Sequence, residues 1–197
     1  MDKARNDYEA WAEVNILNSS QVPDDIADGA LIGKWEKPCQ SFVKCNIDSS
    51  WINATVNTGV SWILRNNFGE PLIHSRRSFS SVPTKLEAEL LSFNWAIDRL
   101  SDLRLDKVVF ESSSYLAGEA ILRPEEFLVF QDLLVHIRVK LTGFSLWNIS
   151  YAHLEGNGCA HEIALSVTRD HQYQSYIARG GPFWLTTLTL EDAKDDT

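Results

Sequence analysis

From Val43 to Trp51 the sequence VKCNIDSSW alternates apolar and polar positions, the signature of a strand with one face buried. Asn53 and Asn57 to Gly59 mark a turn, and GVSWILRN reads as a second strand. Asn66, Asn67 and Gly69 are hairpin-turn residues, and PLIHSRRSF reads as a third strand. Three strands joined by turns predict an antiparallel meander. The period then changes. After Pro83, Leu86, Leu90, Phe93, Ile97 and Leu100 recur at spacings of three and four, which predicts a helix. KVVFESS, a β-branched and aromatic run behind a helix, predicts a buried parallel strand. Ser114 to Leu122 is a candidate short helix. Phe127, Phe130, Leu134, Ile137 and Leu141 form a helical stripe, FSLWNISYAHL returns to a strand, and Asn157 to Thr168 reads as a last helix. The order βββ-α-β-α-α-β-α predicts an α/β domain, with no internal repeat.

Outside that core, DYEAWAEVNIL places Tyr8, Trp11 and Val14 or Asn15 at helical spacing, and the polar linker NSSQVPDDIADG follows. We therefore divide the chain into an N-terminal helix and acidic linker (1–33), a domain (34–170) and a C-terminal extension (171–197). The net charge of −9 belongs to the ends. Residues 1–30 hold seven acidic and two basic side chains, net −5, and residues 190–197 hold four and one, net −3. Residues 31–189 hold 16 acidic and 15 basic side chains, net −1, so total charge neither supports nor excludes a nucleic-acid partner. No apolar run has the length of a bilayer span and the N-terminus lacks a basic-then-apolar leader, so we expect no membrane partner. Three cysteines, Cys39, Cys45 and Cys159, without metal-type spacing fit reduced thiols in the cytoplasm or nucleus. The N-x-S/T triplets at Asn18, Asn53 and Asn148 then read as chance matches.

Six stretches, in order, carry a resemblance. They are Trp35…Pro38…Lys44-Cys45-Asn46-Ile47-Asp48; Gly59-Val60-Ser61-Trp62-Ile63-Leu64-Arg65-Asn66…Gly69; Glu87-Ala88-Glu89-Leu90-Leu91; Val108-Val109-Phe110-Glu111-Ser112; Asn157-Gly158-Cys159-Ala160-His161-Glu162-Ile163-Ala164; and Pro182-Phe183-Trp184. Together they resemble the plant ribonuclease-H-like family, the domain found at the end of plant non-LTR retrotransposon polyproteins and in stand-alone plant genes. The resemblance implies a mixed five-stranded sheet, three antiparallel strands then two parallel, with helices on both faces. It also implies hydrolysis of RNA–DNA hybrids by carboxylates that hold two Mg²⁺ or Mn²⁺ ions about 4 Å apart.

Carried over by position, Asp48 matches the first metal-ligand Asp and Glu89 the helix Glu. Ser113 stands where the family has the fourth-strand Asp, and His161 occupies the fourth position, where the plant branch often has His. Ser49 stands after Asp48 in place of the family's Gly or another small residue. The expected catalytic set is thus Asp48, Glu89, Ser113 and His161, with Asp48 and Glu89 as metal ligands. Two carboxylates oppose the four positive charges of a metal pair, and a serine hydroxyl is a poor substitute for a charged oxygen, so Mg²⁺ or Mn²⁺ binding is expected to be weak or absent. Neutral imidazole suits Zn²⁺ better than Mg²⁺, and His161 is either a ligand or a structural helix residue. Glu111 lies about 6–7 Å back along its strand from Ser113, too far to replace it, and is expected to pair with a neighbouring base or face solvent.

Other features read more plainly. Ser112 to Ser114 lack a base and an oxyanion arrangement, so a helix N-cap is the expected role. Trp62, Trp95 and Trp147 have the chemistry to stack bases, but their spacing favours the core. Nucleic-acid-contacting residues are not assigned. Three functions follow: a nucleic-acid-binding domain, for RNA–DNA hybrid or RNA, with impaired hydrolysis; an active Mg²⁺-dependent hybrid ribonuclease; or a domesticated scaffold for a protein partner. The last draws on the acidic ends and on Trp184, Leu185, Leu188 and Leu190.

Overall fold

The computed structural model describes residues 33–194; the predicted N-terminal helix and nearly all of the acidic linker lie outside them. The strands are β1 Val43–Ser50, β2 Thr58–Arg65, β3 Pro71–Phe79, β4 Lys107–Ser112, β5 Leu146–Tyr151 and β6 Tyr176–Arg179. The helices are α1 Lys85–Asp102, α2 Tyr115–Leu122, α3 Gln131–Leu141, α4 Gly158–Thr168 and α5 Thr186–Asp192. They form one mixed sheet in the order β5-β4-β1-β2-β3-β6, in which β1, β2, β3 and β6 are antiparallel neighbours and β4 runs parallel to both β1 and β5. No helix among the described residues is long and apolar enough to cross a membrane.

The meander, the parallel pair and the helices on both faces match the expectation, but the sheet has six strands where five are expected. The sixth comes from the stretch assigned to the C-terminal extension. Tyr176–Arg179 is four residues long and pairs with Ile73 to Arg76 of β3. Its own pattern is too short to read; the open edge of β3 calls it into the sheet. Residues beyond 170 also supply α5, so the domain boundary drawn at 170 falls inside the folded unit.

α1 begins just after Pro83: Thr84 caps it by accepting the Glu87 N–H at 3.2 Å. The stripe that starts at Phe127 is helical only from Gln131, because Pro124–Glu126 and Leu128–Phe130 turn as 3₁₀ segments first. Cys45, Ile47, Trp62 and Leu64 point to one side of the sheet, where they meet Leu90, Phe93 and Ile97 of α1, Ile121 of α2 and Ile137 of α3. The opposite side carries a smaller apolar group of Ile63, Cys159, Ala160, Ile163 and Leu185.

The alternation in β1 predicts a polar face turned to water, and here the structure differs. Lys44 is 2% exposed and Asn46 fully buried, because Trp35, α4 and α5 cover that face. Burial of these groups requires partners. Lys44 Nζ donates to Glu111 Oε2 at 2.7 Å and Asn46 Nδ2 to Glu111 Oε1 at 2.8 Å. Asn46 Oδ1 accepts from Trp35 Nε1 and from Arg65 Nη2, both at 2.8 Å. Arg65, also fully buried, lies 3.6 Å over the Trp35 ring and donates to Asp192 of α5 at 2.6 Å. Glu111 therefore pairs with a neighbouring base, as expected, and the same network ties α5 to the middle of the sheet.

Candidate active site

β1 and β4 run parallel, so their C-terminal ends open at the same edge of the sheet. Their last paired residues are Ile47 and Ser112; Asp48 follows on β1, and Ser113 follows just beyond the end of β4. One strand spacing, about 5 Å, separates such neighbours. α1 crosses over this edge from one face. Ser92, buried on its apolar side, donates its hydroxyl to the Asp48 backbone carbonyl at 2.9 Å. α4 covers the other face and is held in register by three contacts. Asn157 Nδ2 donates to the Ile47 carbonyl at 2.9 Å, Ser61 Oγ to the Ala160 carbonyl at 2.6 Å, and Gly59 lets the helix backbone come close. A Cβ at position 59 would lie 2.2 Å from the Ala164 carbonyl oxygen.

These placements bring His161 of α4 onto Asp48. Its Nδ1 is 2.8 Å from Asp48 Oδ2, and since a carboxylate only accepts, Nδ1 carries the proton. The Ser49 N–H donates to Asp48 Oδ1, also at 2.8 Å. Both oxygens of this carboxylate, only 8% exposed as a residue, thus accept from the protein. The hydrogen bond to Asp48 is the largest influence on His161 and lifts its pKa above the ordinary imidazole value; burial opposes, and the Asp48 and Glu162 charges add to the rise.

Glu89 sits on α1, and its Oε2 accepts the hydroxyl of Ser114 at 2.5 Å. Lys85, largely exposed, reaches its other oxygen at 3.7 Å. Burial is the chief cause that pushes the Glu89 carboxyl up; Ser114 and Lys85 oppose it, and the neighbouring negative charge of Asp48 adds to it. Asp48 and Glu89 therefore share one electrostatic neighbourhood.

The four residues singled out in the sequence divide in two. Asp48 and His161 are in direct contact, with Glu89 beside them. Ser113 follows directly after Ser112, the β4 partner of Ile47, but the serine that reaches Glu89 is its neighbour Ser114. Ser114 also caps α2 by accepting the Ala117 N–H at 3.2 Å, the role expected of this serine run. Two contributors, Ser92 and Ser114, are absent from the set read in the sequence. A hydroxyl at 92, on the apolar stripe of α1, is the one signal that points to the first.

The donor set can be tested against a metal pair. Among the described residues no three His, Cys, Asp or Glu side chains converge as an ion-holding group. A cation at Asp48 would have to displace the His161 Nδ1–H from its carboxylate, and Ser113 offers only a neutral hydroxyl. These side chains do not fit a two-metal centre, which needs several anionic oxygens.

Trp62 is fully buried, and Trp95 and Trp147 are partly buried against the larger apolar group. Of the tail residues read as a docking surface, Leu185 is buried and Leu188 packs on the smaller group, while Trp184 and Leu190 stay exposed.

Comparison with known proteins bears on this geometry. A family model described as reverse transcriptase-like matches residues 46–167, which span β1 through α4. A curated relative, the putative protein phosphatase 2C-like protein 45 of Arabidopsis thaliana, is 50% identical over 40 residues, a stretch of 20% of this chain and only 16% of that protein. The crystal structure of RNase H1 from the archaeon Halobacterium salinarum matches with a TM-score of 0.60 at 20% identity, covering 66% of this chain and 98% of that one. LC11-RNase H1, solved in complex with an RNA/DNA hybrid, matches with a TM-score of 0.50 at 16% identity, over 62% and 91% of the two chains. At such identities the likeness to the solved structures is one of fold. Since the family match takes in more than half of its residues, this chain belongs to the reverse transcriptase-like family and has the ribonuclease H fold.

Proposed function

We propose that this domain binds RNA–DNA hybrid or RNA, and that its hydrolytic step is impaired or lost. One observation carries the second half: Asp48, the acid at the centre of the strand edge, has both oxygens satisfied, by the Ser49 N–H and by the His161 Nδ1–H. The His161 ring takes the carboxylate oxygen that a metal ion would need, and Ser113 adds no anion to draw an ion in. Mg²⁺ or Mn²⁺ then binds weakly or not at all. Support for the first half is the fold, since LC11-RNase H1 of the same fold was solved with an RNA/DNA hybrid. Recognition would rest on duplex shape and the 2′-hydroxyl rather than on base edges.

The test is hybrid cleavage in Mg²⁺ and in Mn²⁺, wild type against Asp48→Asn, with hybrid binding measured on the same samples. The reading expects binding by both proteins and no cleavage that depends on Asp48. Cleavage by wild type that Asp48→Asn abolishes overturns it. A protein-docking scaffold is the second reading, favoured by the exposed apolar side chains Leu128, Val129, Val135 and Val139 around α3. Absence of hybrid affinity even at low salt would move the assignment there.

A further inference from the structure

Trp95 lies on α1 two turns beyond Glu89, and its indole N–H donates to the Ser75 hydroxyl of β3 at 2.9 Å. Two arginines close on this ring. The guanidinium carbon of Arg77, from β3, is 4.8 Å from the ring centroid, and that of Arg99, one turn further along α1, is 4.6 Å away. Arg77 also lies 4.7 Å over the Phe79 ring. Stacking uses the flat face of a guanidinium and leaves its N–H edge to donate. Among the described residues no carboxylate pairs with Arg77. Arg99 meets Asp102 at 3.2 Å in an exposed i,i+3 pair, a contact of small worth, and its Nε is buried without an acceptor. The cluster holds two positive charges, one weakly committed acid and, on Arg77, N–H donors that the protein does not use.

Its place follows from the register. Arg77 pairs with Val60, and Val60 with Ser49, the residue after Asp48. Two strand spacings, about 10 Å, therefore separate the backbones of Arg77 and Ser49, on the sheet face that α1 covers. The near-neutral balance of the domain conceals a basic, aromatic-backed spot on the flank of the helix that carries Glu89.

We propose that Arg77 and Arg99, braced on Trp95, grip the phosphodiester backbone of a nucleic-acid strand that passes the Asp48–Glu89 edge. This rests on the binding half of the function proposed above and assigns it a contact surface. The arginine fork matches phosphate oxygens, and bracing on the indole lowers the conformational freedom lost on binding. Trp95 and Ser75 are positioning residues, acting through the arginines.

The experiment measures fluorescence anisotropy of a labelled RNA–DNA hybrid over a KCl series. The proteins are wild type, Arg77→Gln, Arg99→Gln, Arg77→Lys, and Arg123→Gln, whose arginine pairs with Glu119 on α2 at 3.0 Å. Each Gln variant of the patch should weaken binding equally across sequences and lower the slope of log affinity against log salt by about 1, the signature of one lost phosphate contact. Arg77→Lys should keep the slope and lose affinity, because it keeps the charge and loses the fork. Arg123→Gln should keep the wild-type slope. Hybrid binding with slopes unchanged in Arg77→Gln and Arg99→Gln overturns this inference and leaves the proposed function standing. No hybrid binding by wild type at low salt removes both. Displacement of the hybrid by inorganic phosphate at matched ionic strength would make the cluster a free-phosphate site and overturn the strand assignment. Thermal melting of each variant separates lost contact from lost fold, and the charge-preserving Arg77→Lys keeps the question open to decision if Arg77→Gln does not fold.

Discussion

Asp192→Asn removes the anion that faces a fully buried guanidinium. Arg65 is 0% exposed, its Nη1 lies 2.6 Å from Asp192 Oδ2, and the Asp192 side chain is only 9% exposed, so water screens the pair little. What remains for Arg65 is a hydrogen bond to Asn46 and the face of Trp35, neither of which carries a negative charge. Breaking a buried pair by removing one partner costs about 3–5 kcal/mol, a large part of a stability of roughly 5–15 kcal/mol. In a domain of this size each kcal/mol moves the melting temperature by about 2–4 °C, so the variant should melt roughly 6–20 °C lower. The assay is calorimetric or circular-dichroism melting, with the pair Arg65→Met, Asp192→Leu alongside. Removing both charges together should recover much of the loss, since no buried ion is left alone. Melting of Asp192→Asn within about a degree of wild type would refute the claim that the chain beyond residue 170 is bound into the core of the domain.

Three further outcomes follow from the geometry. Ser113→Asp places a carboxylate one strand from Asp48, so Mg²⁺ titration by calorimetry should show a gain in affinity over wild type; equal affinities would mean that Ser113 does not face the site. Gly59→Ala should destabilise by more than the about 1 kcal/mol typical of point changes, because its Cβ would meet the Ala164 carbonyl and Val167 of α4; a wild-type melting curve would contradict that close approach. His161 has a folded-state pKa raised above the unfolded value, so its pairing with Asp48 stabilises fully below about pH 6.5 and fades as pH climbs through the folded value. The melting deficit of His161→Ala relative to wild type should therefore shrink from mildly acidic to alkaline pH, and a deficit that grows instead would contradict the assignment.

Much of this arrangement is legible in the chain because local pattern and global fold agree. The meander, the stripe of α1 and the β-branched run of β4 each carry enough apolar periodicity to declare themselves. The four residues of β6 do not; they become a strand only against the open edge of β3, which no local window contains. Lys44 and Asn46 look like the wet face of β1, because nothing in VKCNIDSSW reveals that Trp35 and Asp192, from the two ends of the described chain, will close over them. The same limit applies at the site. Asp48, Glu89 and His161 are found by family resemblance rather than by spacing, since they come from three separate elements. Which serine reaches Glu89 depends on how the chain turns out of β4 into α2, a matter of two or three dihedral angles that composition does not encode.

The central claim is that Asp48 is committed to the Nδ1–H of His161 and not to a metal ion. Nitrogen-15 NMR of the His161 ring, followed while Mg²⁺ is added to millimolar concentration near neutral pH, tests it most directly. The account predicts that the Nδ1 proton of His161 stays in place and hydrogen-bonded throughout the titration. Loss of that proton, or a ring shift that saturates with Mg²⁺, would show that the ion takes the carboxylate from His161 and would contradict the account.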